Sequence, residues 1–226
     1  TSSGIGKFLI KKLPLAESFD RFSPISKYKK STYDLIIHCA YDAGSLRGHK
    51  NIYEQTKSNI NLVEELCDIN TKVFIFFSSV DVYPKKASEN LLDFELGSGE
   101  LLNRHAFFKI VGESIVASKV KNHIILRPSL MIGKNARVNT LVNIVKGNKG
   151  PFTLTKNSRF NVITHDQVLF CIQAALKGNK KGVVNLCSGL EFSLEDVANY
   201  VNNKNITWGK YKYITPKIEN SNAIQF

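Results

Sequence analysis

Short apolar runs alternate with amphipathic segments along the first half of this chain, and this alternation strongly limits the possible folds. Three runs, at residues 34–40, 72–79 and 122–128, consist mainly of Val, Ile, Leu and Phe. Continuous apolar runs of this length are typical of parallel strands that are covered on both faces. The segments between them, 51–68 and 101–120, have the pattern of helices. We therefore predict a doubly wound, parallel α/β fold.

The second half of the chain has a looser pattern. The elements predicted there are, in order, a helix over 135–150, a loop or short strand over 151–161, an extended segment over 162–166, a helix over 167–177, a strand over 183–187 and a helix over 197–201. Ser193 is the expected N-cap of the last helix, with Asp196 at its third position.

The charge of the chain limits its partners. Its net charge is +12, from 31 Lys and Arg against 19 Asp and Glu. A basic surface attracts nucleic acids, membranes or phosphorylated small molecules. Most of the basic residues are Lys and no nucleic-acid motif accompanies them, so we expect no nucleic-acid partner. No apolar run approaches the roughly 20 residues of a membrane span, so we expect no membrane partner either.

The cysteines and histidines argue against a metal site. None of the four cysteines forms a Cys-x-x-Cys pair, and the five histidines lack the spacing of a ligand set. Three of the cysteines lie in apolar surroundings, as free thiols do, which indicates the reducing cytoplasm.

A glycine-rich turn opens the chain and is followed at once by a helical pattern. The first turn of a helix presents free N–H groups and the positive end of its dipole to an anion such as a pyrophosphate. The candidate anion-binding residues are Ser2, Ser3, Gly4, Ile5 and Gly6. A generic turn with a capped helix explains the same pattern equally well.

Polar residues follow the strand predicted at 72–79, where open α/β sheets bind ligands. They include Ser79, Asp81 and Tyr83. On the next predicted helix, His105 and Lys109 are one turn apart and share a face.

These motifs resemble the short-chain dehydrogenase/reductase superfamily, and most closely its extended branch of nucleotide-sugar epimerases, dehydratases and reductases. The family's Ser-Ser-x-x-Val-Tyr is matched at 78–83, and its Tyr-x-x-x-Lys is matched in spacing by His105 and Lys109. Later matches, in the family's order, are Arg127-Pro128, Gly133, Arg159 with Asp166, and Asn185 to Gly189.

The resemblance implies a Rossmann-like sheet with a smaller C-terminal lobe. The dinucleotide-binding domain would comprise residues 1–133, joined by 160–180, and the substrate-binding lobe 134–159 and 181–226. In that fold a short apolar strand ending in Gly precedes the glycine-rich turn, so we expect one before Thr1.

The resemblance also assigns roles. A nicotinamide cofactor takes a hydride from a sugar carbon, and a Ser with a phenolate near a Lys handles the alcohol proton. Ser79 is that Ser, and Lys109 would bind the nicotinamide ribose. Asp81 lies where dehydratases place a proton-abstracting acid, although a solvated loop carboxylate is the simpler interpretation.

His105 is the main departure, since the family has Tyr there. Imidazole can act as an acid or base near neutral pH. The ammonium of Lys109 should lower its pKa and leave a usable base but a poor acid. Loss of the chemistry with retained binding, and a misalignment, are the alternatives. A second Tyr-x-x-x-Lys match, Tyr53 to Lys57, precedes the Ser strand and is therefore out of order.

The remaining ligand contacts are less sharply marked. Asp20 would select NAD, whereas Arg21 beside it would suit the 2′-phosphate of NADP; a surface pair is the alternative. Ala40 and Pro128 should lie along the cofactor. Arg159 should contact the substrate diphosphate, if it is not simply a surface residue.

Tyr83, the last residue of the family's serine motif, should contact the substrate. Asp166 is expected to cap the following helix. His38 and His165 are expected to be satisfied core or strand-end histidines.

The sequence thus predicts a cytoplasmic NAD-dependent, or NADP-dependent, epimerase or reductase. It would act on a nucleotide-linked sugar, in the supply of precursors for a surface polysaccharide. The alternative is a catalytically impaired dinucleotide-binding sensor or structural subunit. The family often pairs through helices that correspond to 51–68 and 101–120, which makes a homodimer a further expectation.

Overall fold

The computed structural model of the chain describes residues 4–19, 23–42, 51–83, 104–216 and 218. Its strands are β1 (Tyr33–His38), β2 (Thr71–Phe77), β3 (His123–Pro128), β4 (Leu130–Ile132), β5 (Arg159–Thr164), β6 (Gly182–Leu186) and β7 (Glu191–Ser193). Its α-helices are α1 (Gly4–Lys12), α2 (Ile52–Thr56), α3 (Leu62–Cys67), α4 (Arg104–Lys119), α5 (Thr140–Val145), α6 (His165–Lys177) and α7 (Leu194–Tyr200).

The larger sheet consists of parallel strands in the order β1-β2-β3-β6. In β2, Phe74, Ile75 and Phe76 are each at most 1% exposed, so both faces of this strand are buried. Leu126 of β3 pairs in register with Val184 of β6. The three strands predicted in the first half are confirmed, each within two residues of its expected ends.

Helices cover both faces of this sheet. One face packs against α1 and α6, through Ile5, Phe8, Val168 and Ile172. The opposite face packs against α3 and α4, through Val63, Leu66 and Val116. The predicted doubly wound α/β fold is therefore confirmed. Of the helices that the structure describes, none combines the length and the apolar composition that a membrane span requires.

The helix predicted over 51–68 is interrupted by a π-helical segment, Lys57–Asn61. The amide of Asn59 in this segment accepts a hydrogen bond from the backbone N–H of Asp42 at 2.8 Å and donates one to the carbonyl of Asp42 at 3.2 Å. A π segment rotates the following residues relative to a regular helix. Here the π segment contains Asn59, which binds the backbone of the chain just after β1.

The smaller sheet has the order β4-β5-β7, in which β5 is parallel to β4 and antiparallel to β7. The prediction of a helix over 135–150 is wrong in length, because only Thr140–Val145 (α5) is helical. Asn139 caps α5 by accepting from the N–H of Val142 at 3.0 Å. Just past its end, Gly147 adopts a φ of 80°, which a helix cannot continue.

Two predictions near the C-terminal end have different outcomes. The expected capping box of Ser193 and Asp196 is confirmed, and α7 begins directly after its N-cap, at Leu194. The assignment of all of 181–226 to the smaller lobe is wrong for β6, which pairs with β3 in the larger sheet. Its apolar residues are buried there, as in the other parallel strands.

Close packing and a buried ion pair fix α4 against the larger sheet. A Cβ on Gly112 would lie 2.6 Å from the ring of Phe76, so only glycine allows this approach. One residue later, Glu113 accepts two hydrogen bonds from the guanidinium of Arg127 in β3, at 2.9 and 2.6 Å. The two side chains are 0% and 2% exposed. This contact sets the position of α4 and of the residues it carries.

We predict that Glu113→Gln lowers the free energy of unfolding by about 3–5 kcal/mol, because it leaves the buried guanidinium of Arg127 without its counter-charge. Urea denaturation followed by circular dichroism measures the change. Lys72→Met, which breaks the exposed 2.6 Å pair with Asp34, is the matched control and should leave the unfolding midpoint unchanged. Equal effects of the two variants would contradict the role of the buried pair.

Candidate functional site

A groove of 2010 Å³ runs along the edge of β1 and over the carboxyl ends of β1, β2 and β3. Its flank along α1 and β1 is largely apolar. Its end is polar and brings together Ser79, Asp81, His105 and Lys109, the four residues predicted to be catalytic. Parallel strands place their carboxyl ends at one edge of a sheet, which explains why residues from separate segments meet there.

Ser79 and Asp81 are held by the turn that follows β2. The hydroxyl oxygen of Ser79 accepts from the backbone N–H of Asp81 at 3.2 Å and so caps the 3₁₀ turn Val80–Val82. Ser79 is 9% exposed. This local contact joins the serine hydroxyl to the backbone of Asp81, and both residues line the end of the groove.

Lys109 is buried beneath the end of β2. Its ammonium donates to the carbonyl of Phe77 at 2.6 Å and lies 5.2 Å from the ring centre of Tyr41 and 5.1 Å from that of Phe76. Burial lowers the pKa of Lys109 to about 8, while the nearby Cys39 acts in the opposite direction. The side chain therefore carries a positive charge over most of its population at pH 7, in a site that is largely closed to water.

His105 lies one helical turn before Lys109 and is partly buried. Its ring meets the ring of Tyr41 edge to face, with 4.4 Å between the centres. Burial, and then the charge of Lys109, lower the pKa of His105 to about 4, while Asp81 opposes this shift. The imidazole is therefore neutral at pH 7, in the direction that the sequence predicted.

The sequence analysis missed two residues of this site. The hydroxyl of Tyr213 donates to Oδ1 of Asp81 at 2.7 Å. Arg137, on the loop after β4, lies beside Gly4, and its charge contributes to lowering the pKa of His105. Neither residue belongs to a local motif, and each reaches the groove from the part of the chain that follows the dinucleotide-binding pattern.

The first turn of α1 forms one wall of the groove. Gly4 has a φ of 64°, which favours glycine, and its N–H donates to the carbonyl of Asn135 at 2.8 Å. Gly4, Ile5 and Gly6 are buried and line the groove, and the side chain of Ile5 belongs to the core. Ala40 and Pro128 also line it. Ser2, Ser3 and Asp20 lie outside the described residues.

Three buried polar atoms along the groove have no hydrogen-bond partner among the described residues. They are Oγ of Ser78, Oγ of Ser129 and Nδ1 of His165. His165 is buried as expected, but the expectation that it is satisfied is wrong for this nitrogen. Buried polar atoms are normally paired in a folded protein, so such a group at a groove wall is suited to a polar ligand.

Tyr83 and Arg159, the predicted substrate contacts, lie apart from the polar end of the groove. Tyr83 is 8% exposed, donates to Oδ1 of Asn185 at 3.0 Å and stacks under the guanidinium of Arg127. Arg159 donates to Glu191 at 3.1 Å on the surface of the smaller sheet. Their roles towards substrate stay predictions.

Other residues singled out in the sequence have structural surroundings. His38 is buried and stacks on Phe76 at 5.7 Å. Tyr53 is 62% exposed on α2, where the ammonium of Lys57 lies over its ring. The expectation that Asp166 caps α6 is wrong: Thr164 is the N-cap and forms a capping box with Gln167, since the helix begins at position 165.

Comparison with known proteins decides the family. The sequence profile of the NAD dependent epimerase/dehydratase family matches residues 20–187, which is most of the chain. The chain belongs to this family. The predicted nicotinamide dinucleotide cofactor is confirmed at the level of the family, because the family is NAD-dependent. Curated protein sequences give no significant match.

Solved structures with the same fold include two UDP-sugar 4-epimerases and RMD. The UDP-glucuronic acid 4-epimerase of Bacillus cereus, in complex with UDP-glucuronic acid and NAD, has a TM-score of 0.69 and 18% identity, over 99% of this chain and 81% of that one. RMD of Pseudomonas aeruginosa, complexed with NADPH, has a TM-score of 0.72 and 16% identity, over 99% and 89%. The UDP-N-acetylglucosamine 4-epimerase of Bacillus cereus has a TM-score of 0.64 and 17% identity, over 97% and 87%. At these identities the likeness concerns the fold.

We predict that His105 titrates with a midpoint near pH 4, because burial and Lys109 disfavour the imidazolium. NMR of the imidazole C–H signals measures this midpoint. Asp81→Asn should lower it further, since an opposing negative charge is removed, whereas Asp34→Asn, at the far edge of the sheet, should not change it. A midpoint near the ordinary 6.5 would contradict the burial of the ring.

The same shift predicts the direction of acid unfolding. The unfolded chain binds a proton at His105 near pH 6.5, whereas the folded chain binds it only near pH 4. Stability is therefore lost as the pH falls through this window, by up to about 1.4 kcal/mol per pH unit. Urea titrations at pH 7, 6 and 5 measure the slope. His105→Asn should reduce it by the contribution of one proton and not abolish it, since burial also lowers the pKa of His38, to about 3.

Proposed function

We propose that this family member is an NAD(P)-dependent epimerase or reductase that acts on a nucleotide-linked sugar, in the supply of precursors for a surface polysaccharide. The meeting of Ser79, His105 and Lys109 at the polar end of one groove carries the proposal. A serine hydroxyl can hold an alcohol by a hydrogen bond, a titratable ring can accept its proton, and a buried ammonium can bind polar groups of a dinucleotide.

The groove suits the cofactor. The buried glycines at the start of α1 leave room for a pyrophosphate against the helix N-terminus. The unpaired hydroxyls of Ser78 and Ser129 offer partners for polar groups of the nicotinamide end. The family resemblance assigns Lys109 to the nicotinamide ribose, and its ammonium lies at the same end of the groove. When bound, the dinucleotide supplies a hydride acceptor or donor.

The chain's own residues handle the sugar hydroxyl. Ser79 holds this hydroxyl by a hydrogen bond, and the neutral ring of His105 accepts from it. Burial, and then the charge of Lys109, lower the pKa of His105 and keep the ring unprotonated, so its nitrogen is available as an acceptor at pH 7. Arg137, at the groove wall and with no ion-pair partner among the described residues, is suited to an anionic group of either nucleotide.

A dinucleotide-binding sensor is the second candidate, and one observation favours it. With its pKa near 4, His105 is a weak proton acceptor. A site of this kind can bind the dinucleotide and the nucleotide-linked sugar and still convert the sugar slowly or not at all.

The helices around 51–68 and 101–120 also retain the features of a contact surface. Ile52, Tyr53 and Phe107 expose 57%, 62% and 43% of their surface on these helices. We propose that they contribute to a homodimer.

The test of the proposed function is turnover. We expect the purified chain with NAD⁺ or NADPH to convert at least one of UDP-glucose, UDP-glucuronic acid and UDP-N-acetylglucosamine, with products separated by anion-exchange chromatography. His105→Ala should lower the rate by roughly 10²–10⁴-fold. His123→Ala is the matched control, because His123 lies at the amino end of β3, at the opposite edge of the sheet.

The outcomes separate the two candidates. An unchanged rate in His105→Ala would remove this ring from the mechanism. Binding of dinucleotide without turnover, both in the parent chain and in His105→Tyr, would favour the sensor. Activity that rises sharply in His105→Tyr would show that the rest of the machinery is intact.

A further inference from the structure

A phenol from the smaller lobe reaches the polar end of the groove. The hydroxyl of Tyr213 donates to Oδ1 of Asp81 at 2.7 Å, and both side chains line the groove together with His105. The two residues are 132 positions apart, so the fold alone brings them together. This phenol is therefore available at a site whose family position for tyrosine, 105, holds histidine.

Tyr213 is fixed in place by the smaller sheet. Its backbone N–H donates to the hydroxyl of Ser158 at 3.1 Å, and its carbonyl accepts from the N–H of Arg159 at 2.8 Å. Its ring stacks on Phe160, with 4.9 Å between the centres and 24° between the planes. Backbone and ring are both anchored, so the hydroxyl has a defined position.

Asp81 is fixed from the opposite side. Its backbone N–H is bound to Oγ of Ser79, and its carboxylate receives the phenol. The phenol and the carboxylate are thus hydrogen-bonded to each other, and the backbone of Asp81 is bound to the serine hydroxyl. His105 and Lys109 lie beside this group in the same groove.

Oxidation of an alcohol releases a proton at the sugar hydroxyl, and the hydrogen-bonded pair of Tyr213 and Asp81 offers a path for it at the polar end of the groove. A phenol already hydrogen-bonded to a carboxylate can accept a proton while passing on its own, and no free phenolate forms. Burial, and then the charge of Asp81, raise the pKa of Tyr213, which is consistent with a phenol that stays neutral.

We propose that Tyr213 supplies the phenol that position 105 lacks, and that Asp81 is the final acceptor of the substrate proton. This inference rests on the proposed function. It changes the final acceptor of the substrate proton from His105 to Asp81, and His105 then orients the sugar hydroxyl. Tyr213 has in this scheme the role of a catalytic residue, because its oxygen meets the sugar hydroxyl.

The proton and electron balance is complete. The sugar O–H bond breaks as a new O–H bond forms on Oη of Tyr213, and the original phenolic proton moves to Oδ1 of Asp81. The electron pair of the sugar C–H bond leaves as hydride to the oxidised nicotinamide dinucleotide of the proposed function. The carbinol becomes a ketone, and reduction follows the reverse path.

The decisive variant is Tyr213→Phe, which keeps the ring on Phe160 and removes only the hydroxyl. We expect its kcat with the best of the three UDP-sugars to fall at least 100-fold, with KM and NAD⁺ affinity within about threefold of the parent chain. Tyr211→Phe is the matched control. Tyr211 lies on the same segment, is 66% exposed and should keep the parent rate.

A rescue experiment separates proton transfer from a structural role. In the Tyr213→Phe chain, a second change, His105→Tyr, places a phenol beside Lys109. We expect this double variant to recover most of the lost rate, because the missing group is supplied from α4. Thermal unfolding of each variant shows whether the fold is intact.

The possible results are distinct. A Tyr213→Phe chain within threefold of the parent kcat would overturn the role of Tyr213 and leave the proposed function standing. A loss of rate that His105→Tyr does not restore would overturn it as well. A parent chain with no turnover on any of the sugars would contradict the proposed function, and the role of Tyr213 with it.

Discussion

The buried ammonium of Lys109 is the interaction on which the rest of the site depends. It lies beneath the carbonyl of Phe77, the last residue of β2, and so joins α4 to the edge of the sheet where ligands bind. An ammonium is costly to bury without partners. The carbonyl and the aromatic faces of Tyr41 and Phe76 compensate for part of that cost. Together with the buried pair of Glu113 and Arg127, these contacts hold α4 against the sheet, and the geometry of the site follows from that.

The same charge sets the chemistry at position 105. A phenol one turn before a buried ammonium would be stabilised as a phenolate, because the opposite charge is close. An imidazole in the same place responds in the reverse sense. Burial disfavours its charged form, the ammonium repels that form as well, and the ring stays neutral. Compared with the tyrosine that the spacing to Lys109 predicts for position 105, histidine is therefore not a conservative residue, because it offers a weak neutral acceptor in place of an anionic base.

Sequence reasoning reached the parts of this protein that local patterns determine. The apolar runs of β2 and β3 specified buried parallel strands, and the turn after β2 with the one-turn spacing of His105 and Lys109 placed these side chains at one edge. Local patterns did not determine α5, whose end depends on Gly147 taking a positive φ. They also missed β6 as part of the larger sheet, because strand order is a property of pairing. Tyr213 carries no local signal at all.

The way the two sheets are connected explains how a residue as distant as Tyr213 can be positioned accurately. β3 ends at Pro128 and β4 begins at Leu130, so one residue, Ser129, joins the sheets, and its N–H is bound to the end of β6 at 2.8 Å. β5, which holds Tyr213, continues without a break into α6, and α6 packs on the larger sheet. Two short, hydrogen-bonded connections leave little freedom between the sheets. A hydroxyl held on the smaller sheet is therefore held in a defined position towards Asp81.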